Sequence, residues 1–144
     1  MTGDALELYQ RAILGHNRKP RNTGPLDKAP HAEGNNPICG DRVTVYVGIA
    51  DDVVTRATFE GLGCAICIAS ASLMTESVRG KTLQEVAALS GRLRDLVTGA
   101  PDSPLDDLGD LTALAGVRRF PVRAMCALLP WQALHAALSF SPKL

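Results

Sequence analysis

The chain has no net charge, no apolar run of membrane length and no zinc-ribbon spacing, and each absence removes a class of function. Fifteen basic and fifteen acidic residues cancel over 144 positions, so no nucleic-acid partner is expected from the global charge, although Arg18, Lys19 and Arg21 concentrate positive charge locally. Leu62 to Met74, the longest apolar stretch, is interrupted by serines and falls short of the roughly 20 residues a bilayer span takes. No membrane association is expected. Nor is a secretory leader, because Met1-Thr2-Gly3-Asp4 is acidic and leads straight into an amphipathic pattern. A cytoplasmic location follows as the expectation. In that reducing setting the four cysteines argue for metal or sulfur chemistry rather than a disulfide framework.

What is present fits one domain, residues 1–144, since 46% hydrophobic content over this length supports a single core. Asp4 and Glu7 read as a helix N-cap and its box partner, with Leu6, Tyr9 and Ile13 on one stripe and an end near Gly15. The segment from His16 to Asn36 is rich in Pro, Gly and Asn and predicts a surface path with at most one short strand. Its basic cluster reads either as a solvated linker or as a docking patch or cover for an acidic group. Val43, Val45, Val47 and Ile49 then alternate with Arg42, Thr44, Tyr46 and Gly48, the period of a strand. A second strand follows Asp51-Asp52, with Val53, Ala57 and Phe59 on one face and Arg56, Thr58 and Glu60 on the other.

Two strands so joined form an antiparallel hairpin, and its geometry has a chemical consequence. The start of the first strand and the end of the second lie at the same end of the sheet, so Cys39 and Asp41 can meet Cys64. Gly61 and Gly63 allow a tight turn between the second strand and a helix of small residues. Cys64 falls at that helix's N-terminus, where unpaired N–H groups and the helix dipole favour a thiolate. Beyond it, Thr82-Leu83-Gln84-Glu85 is a capping box opening a helix that Ser90-Gly91 is expected to interrupt. Gly99 to Gly116 reads as an excursion of turns and short helix around Leu105, Leu108, Leu111 and Leu114, and Val117 to Leu138 returns to helical periodicity. Pro130 is expected either to kink that last helix near Cys126 or to lie in its first turn.

Cys39, Asp41, Cys64 and Cys126 together make a tetrahedral donor set for Zn²⁺. The ligands come from separate elements, which suits a site that opens and is used. Three thiolates and a carboxylate around a dication leave about two negative charges, and Arg123, three residues before Cys126, is placed to offset them. Cys67, at the fourth position of the central buried helix, reads as a core residue. The thioredoxin-type reading of Cys64-x-x-Cys67 lacks the βαβ pattern that motif belongs beside. His16, His31 and His135 show no ligand spacing to one another.

These residues resemble the iron–sulfur cluster assembly scaffold family that includes IscU, the NifU N-terminal domain and SufU. The likeness rests on His16-x-Arg18-x-Pro20-Arg21-Asn22, on Asn36-Pro37-x-Cys39-Gly40-Asp41, on Gly61-x-Gly63-Cys64-Ala65-Ile66 with Ala69-Ser70-Ala71-Ser72, and on Phe120-Pro121-Val122-Arg123-x-x-Cys126 with Trp131. It extends over nearly the whole chain. The SufU branch is the nearer, since the excursion Gly99 to Gly116 resembles its insertion and Met125 stands where IscU-type scaffolds carry histidine. The resemblance implies an α+β fold, a small antiparallel sheet of about three strands packed against several α-helices, with zinc held by Cys39, Asp41, Cys64 and Cys126. It also implies a zinc-dependent sulfurtransferase that accepts persulfide sulfur from a pyridoxal-phosphate (PLP) cysteine desulfurase of the SufS type for iron–sulfur cluster assembly. Cys39, in a Pro-Ile-Cys-Gly turn, is the expected acceptor, Cys126 the competing one, and Arg123 the electrostatic support. Two rival readings use the same ligands: a scaffold that assembles an iron–sulfur cluster on the thiolates, and a purely structural zinc domain.

Overall fold

A computed structural model describes residues 11–139 apart from residues 12, 17, 38–39 and 100–108. The expected N-cap Asp4, its partner Glu7, and Leu6, Tyr9, Leu105, Leu108 and Cys39 lie outside the described residues. Three antiparallel strands, β1 (His31–Asn36), β2 (Asp41–Ala50) and β3 (Val53–Leu62), form one sheet in the order β1-β2-β3. Asp51 and Asp52, with φ of 53° and 61°, make the hairpin turn between β2 and β3. Positive φ at both central residues is the type I′ geometry whose twist matches the flanking strands.

β2 and β3 pair from Arg42↔Leu62 at one end to Ala50↔Val53 at the other, with a bulge near Gly48/Ile49. Arg56 faces Gly48 whereas Val54 faces Ile49, so Thr55 is the extra residue. An inserted residue reverses which side the following ones occupy. Val54 therefore joins Ala57 and Phe59 in the core, and Val53, expected there from simple alternation, is only half-buried. The strand also runs two residues past Glu60, to Leu62.

α1 (Ala65–Val78) packs on β3, and the last helix, α3 (Pro121–Ser139), packs on β1 and β2 and against α1. α1 is buried on nearly all sides, which explains its all-round run of small and apolar residues. α2 (Leu83–Thr98) begins on the expected box: Glu85 N–H donates to Thr82 Oγ1 at 3.1 Å and Thr82 N–H to Glu85 Oε1 at 2.9 Å. It continues unbroken through Ser90-Gly91, contrary to the expected interruption. The roughly 1 kcal/mol glycine penalty is outweighed there by burial of Val86, Leu93, Leu96 and Val97 on the core side.

A 3₁₀ helix spans Gly109–Arg119, and α3 starts only at Pro121. The helical pattern expected from Val117 onward is thus divided at Phe120. A residue before proline is pushed out of the helical region, while proline suits the first helical position because its missing N–H would have no partner in the helix. Pro130 sits inside α3 rather than in its first turn, so a late helix start is excluded. Among the described residues, no helix is long and apolar enough to cross a membrane.

The segment after residue 16 is pinned rather than free. His16, expected in a polar connection, is buried, with Nδ1 2.7 Å from Ser72 Oγ. The Arg21 backbone N–H donates to the same hydroxyl at 2.9 Å, and Asn22 Nδ2 donates to Thr75 Oγ1 at 3.1 Å. The Arg21 guanidinium pairs with Glu76 at 2.7 Å. Glu76 is twelve residues beyond Cys64, about 18 Å along a helix, so Arg21 serves this strap and not the cysteine end of the sheet. Arg18 and Lys19 are exposed.

Candidate metal centre

Because Arg42 pairs with Leu62, the first residue of β2 lies beside the last turn of chain before α1. Asp41 and Cys64 meet there. Asp41 Oδ1 accepts the Cys64 backbone N–H at 2.8 Å, and Oδ2 stands 3.8 Å from Cys64 Sγ. Cys64 is the N-cap of α1 and supplies no side-chain cap of its own, so its sulfur is left to other work. The completely buried Asp41 has one oxygen taken by that N–H and offers the other as a single ligand atom.

Cys126, on the second turn of α3, completes the group. One ligand atom from each of Asp41, Cys64 and Cys126 lies within 4.8 Å of the others. Zn–S near 2.3 Å and Zn–O near 2.0–2.2 Å in a tetrahedron imply S···O separations of about 3.5–3.7 Å, and the Cys64 Sγ to Asp41 Oδ2 distance of 3.8 Å is slightly longer. The donor set fits zinc, with a fourth ligand to be supplied. Three of the four expected ligands are thus together; Cys39 lies outside the described residues. Near it, Gly40 N–H donates to Asn36 O at 2.8 Å and Gly40 has φ of 73°, a turn residue in the connection between β1 and β2.

Arg123 is exposed, and its guanidinium faces both thiols. Its pKa is raised above the ordinary arginine value, first by a hydrogen bond to Cys126, then by the charges of Cys64 and Cys126. Cys67 is fully buried in the core and outside the three-residue ligand group.

The two glycines before Cys64 do not have the role read from sequence. Neither is at positive φ; both are needed for space. A Cβ on Gly61 would stand 2.2 Å from Arg42 O, and one on Gly63 would stand 3.0 Å from Asp41 Oδ1 and 3.2 Å from both Cys67 Cβ and Sγ. Other features went unread as well. Leu62, Phe120, Val122 and Met125 expose half or more of their surface, flanking Cys64 and Arg123 in sequence. Bulky apolar side chains mark a contact surface only where they form one patch, and nothing in their spacing in the sequence separates these four from core residues.

The sequence profile of the family described as NifU-like N terminal domain matches residues 8–138. The chain is 40% identical over 132 residues to the zinc-dependent sulfurtransferase SufU of Bacillus subtilis (strain 168), covering 92% of this chain and 90% of that protein. It is 37% identical over 134 residues to the iron–sulfur cluster assembly scaffold protein IscU of Streptococcus pyogenes serotype M1, covering 93% and 84% respectively. The crystal structure of the N-terminal part of a nitrogen-fixing NifU-like protein from Brucella abortus superposes with a TM-score of 0.82 at 27% identity, over 92% of this chain and 93% of that one.

Proposed function

We infer the function of this chain from its family and its site: it belongs to the NifU-like N-terminal domain family, and we propose that it is a zinc-dependent sulfurtransferase receiving persulfide sulfur from a PLP-dependent cysteine desulfurase of the SufS type. The observation that carries this reading is the meeting of Asp41, Cys64 and Cys126, drawn from a strand, a helix cap and a second helix, with the Arg123 guanidinium against both thiols. A purely structural zinc site has little use for an exposed arginine at its rim. The SufU relative's name supports the same choice.

Asp41, Cys64 and Cys126 would hold the ion together with Cys39, whose Cα chain connectivity alone keeps within about 7 Å of that of Asp41. Zinc, when bound, would keep the thiols deprotonated and guard them against premature reaction. The chain's own part is nucleophilic. The Cys39 thiolate attacks the terminal sulfur of the desulfurase persulfide, a new S–S bond forms on Cys39, and the partner's cysteine departs as a thiolate, so one sulfur atom moves with no net oxidation. Arg123 offsets the negative charge that accumulates around the thiolates. The exposed side chains of Leu62, Val122 and Met125, next to Cys64 and Arg123 in the sequence, supply apolar area for the partner.

Incubation with a cysteine desulfurase and cysteine, followed by peptide mass spectrometry, tests the assignment. Added sulfur is expected on Cys39, and Cys39→Ser is expected to bind zinc and accept none. Sulfur on Cys126 with Cys39 unmodified overturns the acceptor; acceptance by no cysteine overturns the activity.

A second reading, a scaffold that assembles an iron–sulfur cluster on the same thiols, is supported by the name of the streptococcal relative and by the suitability of thiolates for both metals. Metal analysis after anaerobic purification, with desulfurase turnover, separates the two. Zinc with strong stimulation favours sulfur transfer; a coloured, transferable cluster with little stimulation favours the scaffold.

A further inference from the structure

Cys126 is a ligand residue on a helix whose hydrogen bonding is weakened where it sits. Pro130, buried inside α3, has no N–H to donate to the carbonyl of Cys126 four residues earlier, and its ring crowds that carbonyl. The fold supplies a tie at the next residue. Ser70 Oγ donates across from α1 to the carbonyl of Ala127 at 2.6 Å, and Trp131 Nε1 donates to Ser70 Oγ at 3.2 Å. Ser70 has no exposed surface, and Trp131 is 1% exposed.

Some helical hydroxyls, Ser72 and Ser90 among them, bond to other segments, and others stay local. Ser77, Thr98 and Ser139 donate to the carbonyl four residues back in their own helices, the usual local outlet for such a group. Ser70 instead spends its proton on a second helix and its lone pair on the single tryptophan of the chain. Both ends of the tie lead to ligands: Ser70 is six residues after Cys64, less than two turns along α1, and Ala127 directly follows Cys126. A bond between the two helices at this height sets how far α3 can slide along α1, and sliding is the motion that would separate the two sulfurs.

We propose that Ser70 and Trp131 are a positioning pair that fixes the axial register of α3 against α1, and through it the separation of the Cys64 and Cys126 thiols. Ser70 sets the register through the Ala127 carbonyl. Trp131 holds the Ser70 hydroxyl in the rotamer that reaches it. The inference rests on the metal-site reading, and its test distinguishes failure of one from failure of the other.

The test is titration of the metal-free full chain with Co²⁺ and then Zn²⁺, following the thiolate-to-cobalt absorption that reports ligand number and geometry. Ser70→Ala is expected to weaken binding about 10- to 100-fold, the range for lost supporting hydrogen bonds around a metal site, and to alter the cobalt spectrum. Trp131→Phe, which keeps a ring and removes the N–H, is expected to weaken binding less and to add little in the Ser70→Ala background. Should Ser70→Ala fail to fold, Trp131→Phe carries the test, with an altered spectrum expected and a native one overturning the proposal. Val54→Ala controls for stability, being a core truncation at the far end of β3, about 26 Å along the strand from Leu62, and it should leave the spectrum and affinity unchanged. Native affinity and spectrum in both Ser70→Ala and Trp131→Phe overturn the proposal, as does an equal loss in Val54→Ala. A wild-type chain that takes up no cobalt overturns the metal-site reading itself.

Discussion

Replacing Gly63 with alanine should damage the metal centre without touching a ligand. The backbone there is not at positive φ, so alanine meets no conformational penalty, and the whole effect comes from one methyl group. That methyl would lie 3.0 Å from Asp41 Oδ1 and 3.2 Å from Cys67 Cβ and Sγ, several tenths of an ångström inside ordinary contact. Neither wall yields freely. Asp41 Oδ1 is tied to the Cys64 N–H at 2.8 Å, and Cys67 is fully buried on α1. Gly63 itself is exposed, but the added methyl meets two buried groups; overpacking such groups costs about 1–3 kcal/mol, and here the movement falls on the carboxylate of the candidate ligand group.

Urea unfolding of the metal-free variant should therefore show a loss of about 1–3 kcal/mol. Zinc affinity, measured by competition with a chromophoric chelator, should fall roughly 10- to 100-fold as Asp41 shifts. Cys67→Ala removes one of the crowding atoms, so the double variant should be less destabilised than the sum of the two singles, a coupling of about 0.5 kcal/mol or more. Native stability together with native zinc affinity in Gly63→Ala would refute the crowding argument. A stability loss with unchanged affinity would refute only the role given to Asp41.

Arg123→Ala should leave stability within about 0.5 kcal/mol, as for an exposed side chain, while lowering zinc retention or sulfur acceptance; Arg123→Lys should recover part of the loss, and unchanged transfer in the alanine variant removes its role. Gly91→Ala should stabilise the chain by about 1 kcal/mol, seen as a higher urea midpoint, because the position is exposed inside α2 and its Cβ would meet nothing within 4 Å. His135, 2.8 Å from Ser90 Oγ, has its pKa lowered from 6.5 by burial first and by the charge of Arg94 second. The unfolded chain therefore takes up this proton before the folded one does: the contribution is unchanged above pH 6.5 and stability is lost as pH falls from there to the folded pKa. Urea midpoints against pH for wild type and His135→Gln should diverge below that value, and parallel curves would refute it.

Features with a local cause were legible in the sequence. Alternating valines specify a strand, Thr82 and Glu85 a helix start, and Asp51-Asp52 the turn that brings Asp41 beside Cys64. The thiols, carboxylate and guanidinium read from the sequence as a candidate metal centre, and Asp41, Cys64 and Cys126 are brought together in the fold. Tertiary structure decided what depends on contacts between distant segments. The bulge that exchanges Val53 for Val54 arises from how β2 and β3 pair, and α2 continues past Gly91 because its other face is buried. The need for glycine at position 63 comes from Asp41 and Cys67, and the partner of Ser70 is a carbonyl 57 residues away. Periodicity reports which face of an element is apolar and is silent on what lies opposite. At this site the groups lying opposite, Asp41 and Cys67 across from Gly63 and the Ala127 carbonyl across from Ser70, are contacts that no periodicity encodes.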